Sequence, residues 1–264
     1  MRLRWSLAVT AALLSLAALQ VRSAQADNPW DRPGTHAGDE ITGPDGGKMV
    51  WVSPGEFDMG QQGVATPVHH VRITRGFWLG KCDVTNAQYQ KYCQDVGAEF
   101  PKGSDQGDNH PVVLVNWTEA VAYCKHYGLA LPTEAQWEYA ARGPEGRDYP
   151  WGDAWDEHKC CNDTNKGPKG KTFPVGSFPE GASWCGALDM AGEVLQWCRD
   201  YDVGYAKSPV DDPQGRDNNQ FRMDRGGWWW GDAESCRSAC RDGNPLMFRS
   251  PCLGFRCSRT PEAK

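Results

Sequence analysis

The sequence lacks an excess of positive charge: 28 Lys and Arg stand against 34 Asp and Glu, a formal net charge of −6. Nucleic acid and anionic membrane surfaces are bound through cationic patches, so neither is expected as a partner. Beyond one apolar run at the chain start, Ser6 to Leu19, no stretch is long and apolar enough to span a bilayer. Histidine is scarce, and His36, His69, His70, His110, His126 and His158 show no metal-ligand spacing. His69 and His70 would face opposite sides of a strand. There is no internal repeat, no coiled-coil pattern and no second domain boundary. Charged residues at 23% are ordinary, which excludes gross disorder.

Arg2 and Arg4 precede the apolar run and Ala24-Gln25-Ala26 follows it, the arrangement of an export signal over residues 1–26. The expected location is secreted or periplasmic. Cleavage would leave about 238 residues, enough for one large domain or two small ones, and would move the net charge from −6 to about −9 by removing Arg2, Arg4 and Arg22.

What the chain has in abundance is Trp, 13 of them, with 30 Gly and 18 Pro for turns. All 11 Cys follow the export segment. Disulfides are the default expectation in an exported chain, and an odd count leaves at least one thiol over.

Residues 27–48 are polar and rich in Pro and Gly, and read as a flexible lead-in to a domain over 49–258 with a tail at 259–264. Met49 to Val52, Phe57 to Met59, Val71 to Leu79 and Leu253 to Cys257 read as strands. Thr85 with Gln88 and Thr133 with Gln136 are capping boxes that start helices, and Thr118 is expected to cap a third carrying Val121, Ala122 and Cys124. Residues 143–187 have no clear period. Short strands, a few helices and many loops predict an α+β fold.

Eight blocks in order resemble the formylglycine-generating enzyme family, also called sulfatase-modifying factor domains. They are MVWVSPGEFDMG (49–60), KCDVTNAQY (81–89), HPVVLVNW (110–117), LPTEAQWEYAAR (131–142), PWG (150–152), LDMAG (188–192), RGG (225–227) and LGFR (253–256). The resemblance implies a variant of the C-type-lectin fold with little regular structure and bound calcium. Members include a copper-dependent oxidase that converts a sulfatase cysteine to formylglycine, proteins of ergothioneine or pyoverdine chemistry, and ligand-binding proteins, so the fold leaves function open.

The family's oxidase holds soft Cu(I) between two thiolates. Cys236 matches the second of them, but Gly231 stands at the first and Trp228 at a preceding serine. A rearranged pair, Cys236 with Cys240, would share a face if that segment were helical. Copper is expected only in that case. The ergothioneine-type helical domain with its His-rich iron motif is absent, and no specific pyoverdine-type site residue can be matched.

The resemblance further implies a Cys124–Cys257 disulfide. The cysteines of another family disulfide are replaced by Ala141 and Arg241, and the remaining partners stay open. It implies structural calcium near Asn162, Asp163, Glu193 and Gln196, the last two standing where the family has Asn and Glu. Trp228 and Trp230, on one face if extended, and the nearby Asp232 and Glu234 form a candidate surface for a peptide, protein or glycan ligand. The expected protein is therefore a disulfide-stapled, secreted domain of this family without the standard copper site, with a rearranged or pyoverdine-type oxidase as the alternative. Whether it is an enzyme, and its oligomeric state, stay open at this level.

Overall fold

A computed structural model describes residues 28–104, 106–215 and 220–262. The export segment lies outside the described residues. No helix among them is long and apolar enough to cross a membrane.

Among the described residues, three α-helices form where local chemistry starts them. Helix α1 (Asn86–Val96) is capped by the expected Thr85–Gln88 box and stops at Gly97, whose φ of 70° lies in the left-handed region. Helix α3 (Glu134–Arg142) uses the expected Thr133–Gln136 box. Helix α2 (Trp117–His126) starts earlier than expected: its cap is Asn116, boxed with Glu119, and Thr118 already lies inside the helix. Asn accepts the orphan N–H groups of a first turn as well as Thr does, so two candidate caps stood side by side.

The strands fall into three small sheets. One has the order β1 (Glu40–Thr42), β2 (Lys48–Val52), β5 (Phe77–Gly80) and β11 (Ser258–Arg259), all antiparallel. The second runs β10 (Leu253–Gly254), β6 (Leu195–Tyr201), β8 (Phe221–Arg225) and β9 (Arg241–Pro245). The third is β3 (Gly55–Gln61), β4 (Ala65–Ile73) and β7 (Val210–Asp211). The run Val71 to Leu79 is two strands, not one, because Thr74–Gly76 break it. Leu253 to Cys257 likewise divides between β10 and the approach to β11. On β4, His69 is buried and His70 exposed, as the alternation requires.

The lead-in is not a flexible arm. Residues 40–42 pair with β2, Trp51 N–H donates to Asp39 O at 2.8 Å, and Trp78 Nε1 donates to Arg32 O at 2.8 Å. Trp30 and Ile41 pack on the core. A polar, Gly- and Pro-rich composition suggested freedom, but two apolar side chains and a strand's worth of backbone donors were enough to dock it. The tail begins inside the fold as well, since Arg259 belongs to β11.

Two apolar clusters make the core. One packs Tyr89, Tyr123, Trp197 and Phe255 between α1, α2 and the second sheet; the other packs Val50, Phe57, Phe77 and Trp137 between α3 and the remaining strands. Two buried arginines tie these layers together. Arg225 donates to Glu134 at 2.9 Å, Glu138 at 2.7 Å and Tyr205 Oη at 2.7 Å. Arg256 donates to Gln196 Oε1 at 2.6 Å and to carbonyls of Gly80, Lys81, Leu188 and Asp189. A fully buried guanidinium is tolerable only when its N–H groups are all engaged in this way.

Candidate functional site

The region that carries the family's oxidase chemistry begins where β8 ends. Gly226 and Gly227 have φ of 108° and 73°, and a Cβ on Gly227 would come within 3.0 Å of Cys236 Sγ. Glycine is therefore required there for the chain to fold back over Cys236. Residues 228–231 then form a tight turn closed by Gly231 N–H to Trp228 O at 2.7 Å. A Cβ at Gly231 would meet Ser235 Oγ at 2.8 Å and Trp228 O at 3.0 Å. The turn is thus closed tightly at Gly231 and leaves little room there for a side chain.

Cys236 is fully buried. Its thiol is held by the thiol of Cys160, with which it packs beside Tyr149 and Ala191, and this bond and then burial push it well above the ordinary thiol range. Residues 233–236 are turns, not a helix, so the face that would have joined Cys236 to Cys240 does not exist. Cys240 instead lies toward Arg225 and Asp242. The expected Cys236/Cys240 pair is replaced by Cys160/Cys236, a partnership no local spacing announces.

All 11 cysteines are unbonded. Of the expected disulfide partners, Cys124 and Cys257 are brought to a sulfur–sulfur separation of 3.6 Å. Cys160 and its neighbour Cys161 do go separate ways, Cys161 donating to Lys171 O at 3.4 Å.

The tryptophan surface also differs from expectation. Because 228–231 is a turn, Trp228 and Trp230 do not form a matched pair on one face. Trp229 is 9% exposed and packs with Cys161 and Cys252, and Trp228 packs against the same cluster. Trp230 alone stands out, 57% exposed, with its ring 5.1 Å from that of Trp229. Asp232 accepts from Ser235 N–H at 2.9 Å and Oγ at 2.7 Å, which holds its carboxyl below the usual range. Glu234 is paired with Arg237 at 2.8 Å and is likewise lowered. Both carboxylates thus serve their own turn. Four cavities of 300 to 600 Å³ among the described residues are lined by other residues.

The four residues expected near calcium do not fit the ion as a set. Asn162 Oδ1 already accepts from Thr164 N, Thr164 Oγ1 and Asn165 N at 2.9, 2.7 and 3.1 Å. Gln196 Oε1 accepts from Trp137 and Arg256 at 2.7 and 2.6 Å. Asp163 is exposed. Glu193 alone keeps both carboxylate oxygens buried without a hydrogen-bond partner. Among the described residues, no group of three or more His, Cys, Asp and Glu side chains is arranged to hold a metal ion.

What sequence reasoning missed is a buried acidic interior around Arg256. Asp83 lies 4.0 Å from that guanidinium with neither oxygen hydrogen-bonded. Asp83 and Glu193 are pushed well above the carboxylate range by burial, and Asp189 is raised for the same reason. The approach of Asp83 and Asp189 to one arginine is not visible in their separate motifs.

Comparison with known proteins agrees with this architecture. Residues 38–261 match the sulfatase-modifying factor enzyme 1-like domain. The chain is 39% identical over 281 residues to the formylglycine-generating enzyme of Streptomyces coelicolor, covering 80% of this chain and 88% of that one. It is 32% identical over 241 residues to the serine/threonine-protein kinase Pkn1 of Chlamydia trachomatis, but there 80% of this chain spans only 38% of the relative's length. The solved structure of PvdO from Pseudomonas aeruginosa superposes with a TM-score of 0.75 at 24% identity, covering 86% of this chain and 100% of that one. The α+β architecture is that of the formylglycine-generating-enzyme-like variant of the C-type-lectin fold, and the chain belongs to the sulfatase-modifying factor family.

Proposed function

We propose that the protein is a secreted or periplasmic sulfatase-modifying-factor-like domain without the standard copper cysteine-oxidase site, which binds a peptide, protein or glycan ligand. The observation that carries this reading is Gly231. Copper chemistry of the family type needs two thiolates on the substrate-facing loop, and here one is absent, its place is closed by the turn, and Cys236 is buried. The binding surface is Trp230 and its surroundings, because a large exposed indole offers a stacking face to a sugar ring or an apolar side chain. A screen of glycans and secreted proteins against wild type and Trp230→Ala tests the binding arm. Ligands held equally by both forms would remove Trp230 from the account.

A second reading has its own observation. Cys160 and Cys236 are two thiols packed in one buried cluster, a rearranged pair that retains the donor type soft Cu(I) prefers. In that case the protein would be an oxidase of this family; the Streptomyces relative is named a formylglycine-generating enzyme. A Cu(I) titration separates the two: stoichiometric binding lost in Cys160→Ser supports the second reading, and no binding supports the first.

A further inference from the structure

A cavity of about 370 Å³ opens between the end of β4, the start of α3, β6 and β11. Its walls include Arg75, Arg199 and Arg259, with Thr133, Gln136 and Thr260 as neutral polar groups. Three arginines from three distant segments line it, in a chain whose net charge is −6. Asp212 is the one carboxylate among the described lining residues, and its two oxygens are taken up by Thr74, the backbone N–H at 2.9 Å and the hydroxyl by a second bond. Arg259 is engaged by Asp31 and by the carbonyl of Gly128, and its Nε is buried with no acceptor. Arg75 donates to the carbonyl of Pro261. Among the described residues no carboxylate pairs with Arg75 or Arg199. Positive charge is therefore in local surplus at a concave site.

We infer that this cavity binds a tetrahedral oxyanion, a phosphate or sulfate group carried by a small polar molecule. Guanidinium forks match such oxygens geometrically and stay charged at every physiological pH. No lysine lines the cavity, so planar, directional donors supply all of its positive charge. Three arginines offer more N–H donors than the two oxygens of a carboxylate can accept, which favours the tetrahedral group. The volume is in the range of small-molecule sites and leaves room for a ring or short chain behind the anion. This site is separate from the Trp230 face and from the Cys160/Cys236 pair, and stands whether or not either functional reading holds.

The test is isothermal titration of the full chain with inorganic phosphate, sulfate and acetate at fixed ionic strength, using wild type, Arg75→Gln and Arg199→Gln. Saturable binding of phosphate or sulfate is expected, at least tenfold weaker in each variant and absent for acetate. Whichever anion binds tighter identifies the natural group. Arg75 is exposed, so its replacement leaves folding intact and keeps the comparison clean. Phosphate and sulfate also stabilise proteins through general exclusion, which titrates without saturation and ignores the arginines. Absence of saturable binding, equal binding by variants and wild type, or equal binding of acetate would each overturn the inference.

Discussion

Cys236 packs against Cys160 inside a shell of Tyr149, Trp151 and Trp155. This one contact connects the irregular stretch after α3 to the loop that leaves β8. It also gives the buried Cys236 a second buried sulfur as its neighbour. In an oxidising compartment, Cys160 with Cys236 and Cys124 with Cys257 are the pairs expected to bridge. Peptide mapping under non-reducing conditions checks this. Each bridge would add up to about 4–5 kcal/mol by loop closure, and a Cys236–Cys240 bridge would contradict the arrangement.

Arg225 is the keystone of the buried charge network. Burial alone would push Glu134 up, yet Arg225 and Arg241 together hold its carboxyl below the ordinary range. Arg225→Met should therefore cost roughly 3–5 kcal/mol, because it takes from each of the buried Glu134 and Glu138 one of its two arginine partners and leaves Arg241 and Arg142 as the others. Urea unfolding measures it. A loss under about 1 kcal/mol would mean the carboxylates find water or other donors.

Asp83 works in the opposite direction. Its folded carboxyl is raised by burial, with Asp200 raised to about 6 and Asp224 to about 7. An acid whose folded value is raised stays protonated in the native state after the unfolded chain has released its proton. Its contribution is complete below the ordinary carboxylate value and is lost as pH rises toward the folded value. Stability should thus decline from pH 5 to pH 7.5. Asp83→Asn should flatten that decline and stabilise the protein by roughly 1–3 kcal/mol at pH 7.5. Glu134, being lowered, acts with the other sign and loses its contribution only as pH falls through the acid range. Melting curves of both forms at the two pH values decide this, and an Asn variant less stable at pH 7.5 would assign Asp83 a charged role.

Calcium removal should leave the melting midpoint unchanged. Asn162 and Gln196 already spend their amide oxygens on protein donors. Calorimetry with and without a chelator is the check. A clear drop on chelation, absent in Glu193→Gln, would assign the unpartnered carboxylate of Glu193 to a metal.

Sequence legibility followed the range of the interactions. The boxes at Thr85 and Thr133 were readable because a cap and its partner lie three residues apart. The alternation of His69 and His70 was readable for the same reason. The exposed position of Trp230 depends on a turn that a run of three tryptophans does not reveal. The lead-in was misread because composition reports chain freedom and says nothing of the groove that receives Trp30. Cys160 as the neighbour of Cys236 was invisible, since the two meet only after the long loop has folded. Asp83 and Glu193 sat in legible motifs, but their lack of hydrogen-bond partners is a property of the assembled interior.

The absence of the family's copper chemistry is tested most directly by incubating the Cu(I)-treated protein with a sulfatase-motif cysteine peptide and measuring aldehyde by mass spectrometry. With Gly231 at the first thiolate position and Cys236 enclosed by Cys160, the peptide should emerge with its cysteine unchanged. Catalytic conversion to formylglycine, abolished by Cys236→Ser, would contradict the account and establish the Cys160/Cys236 pair as a working site.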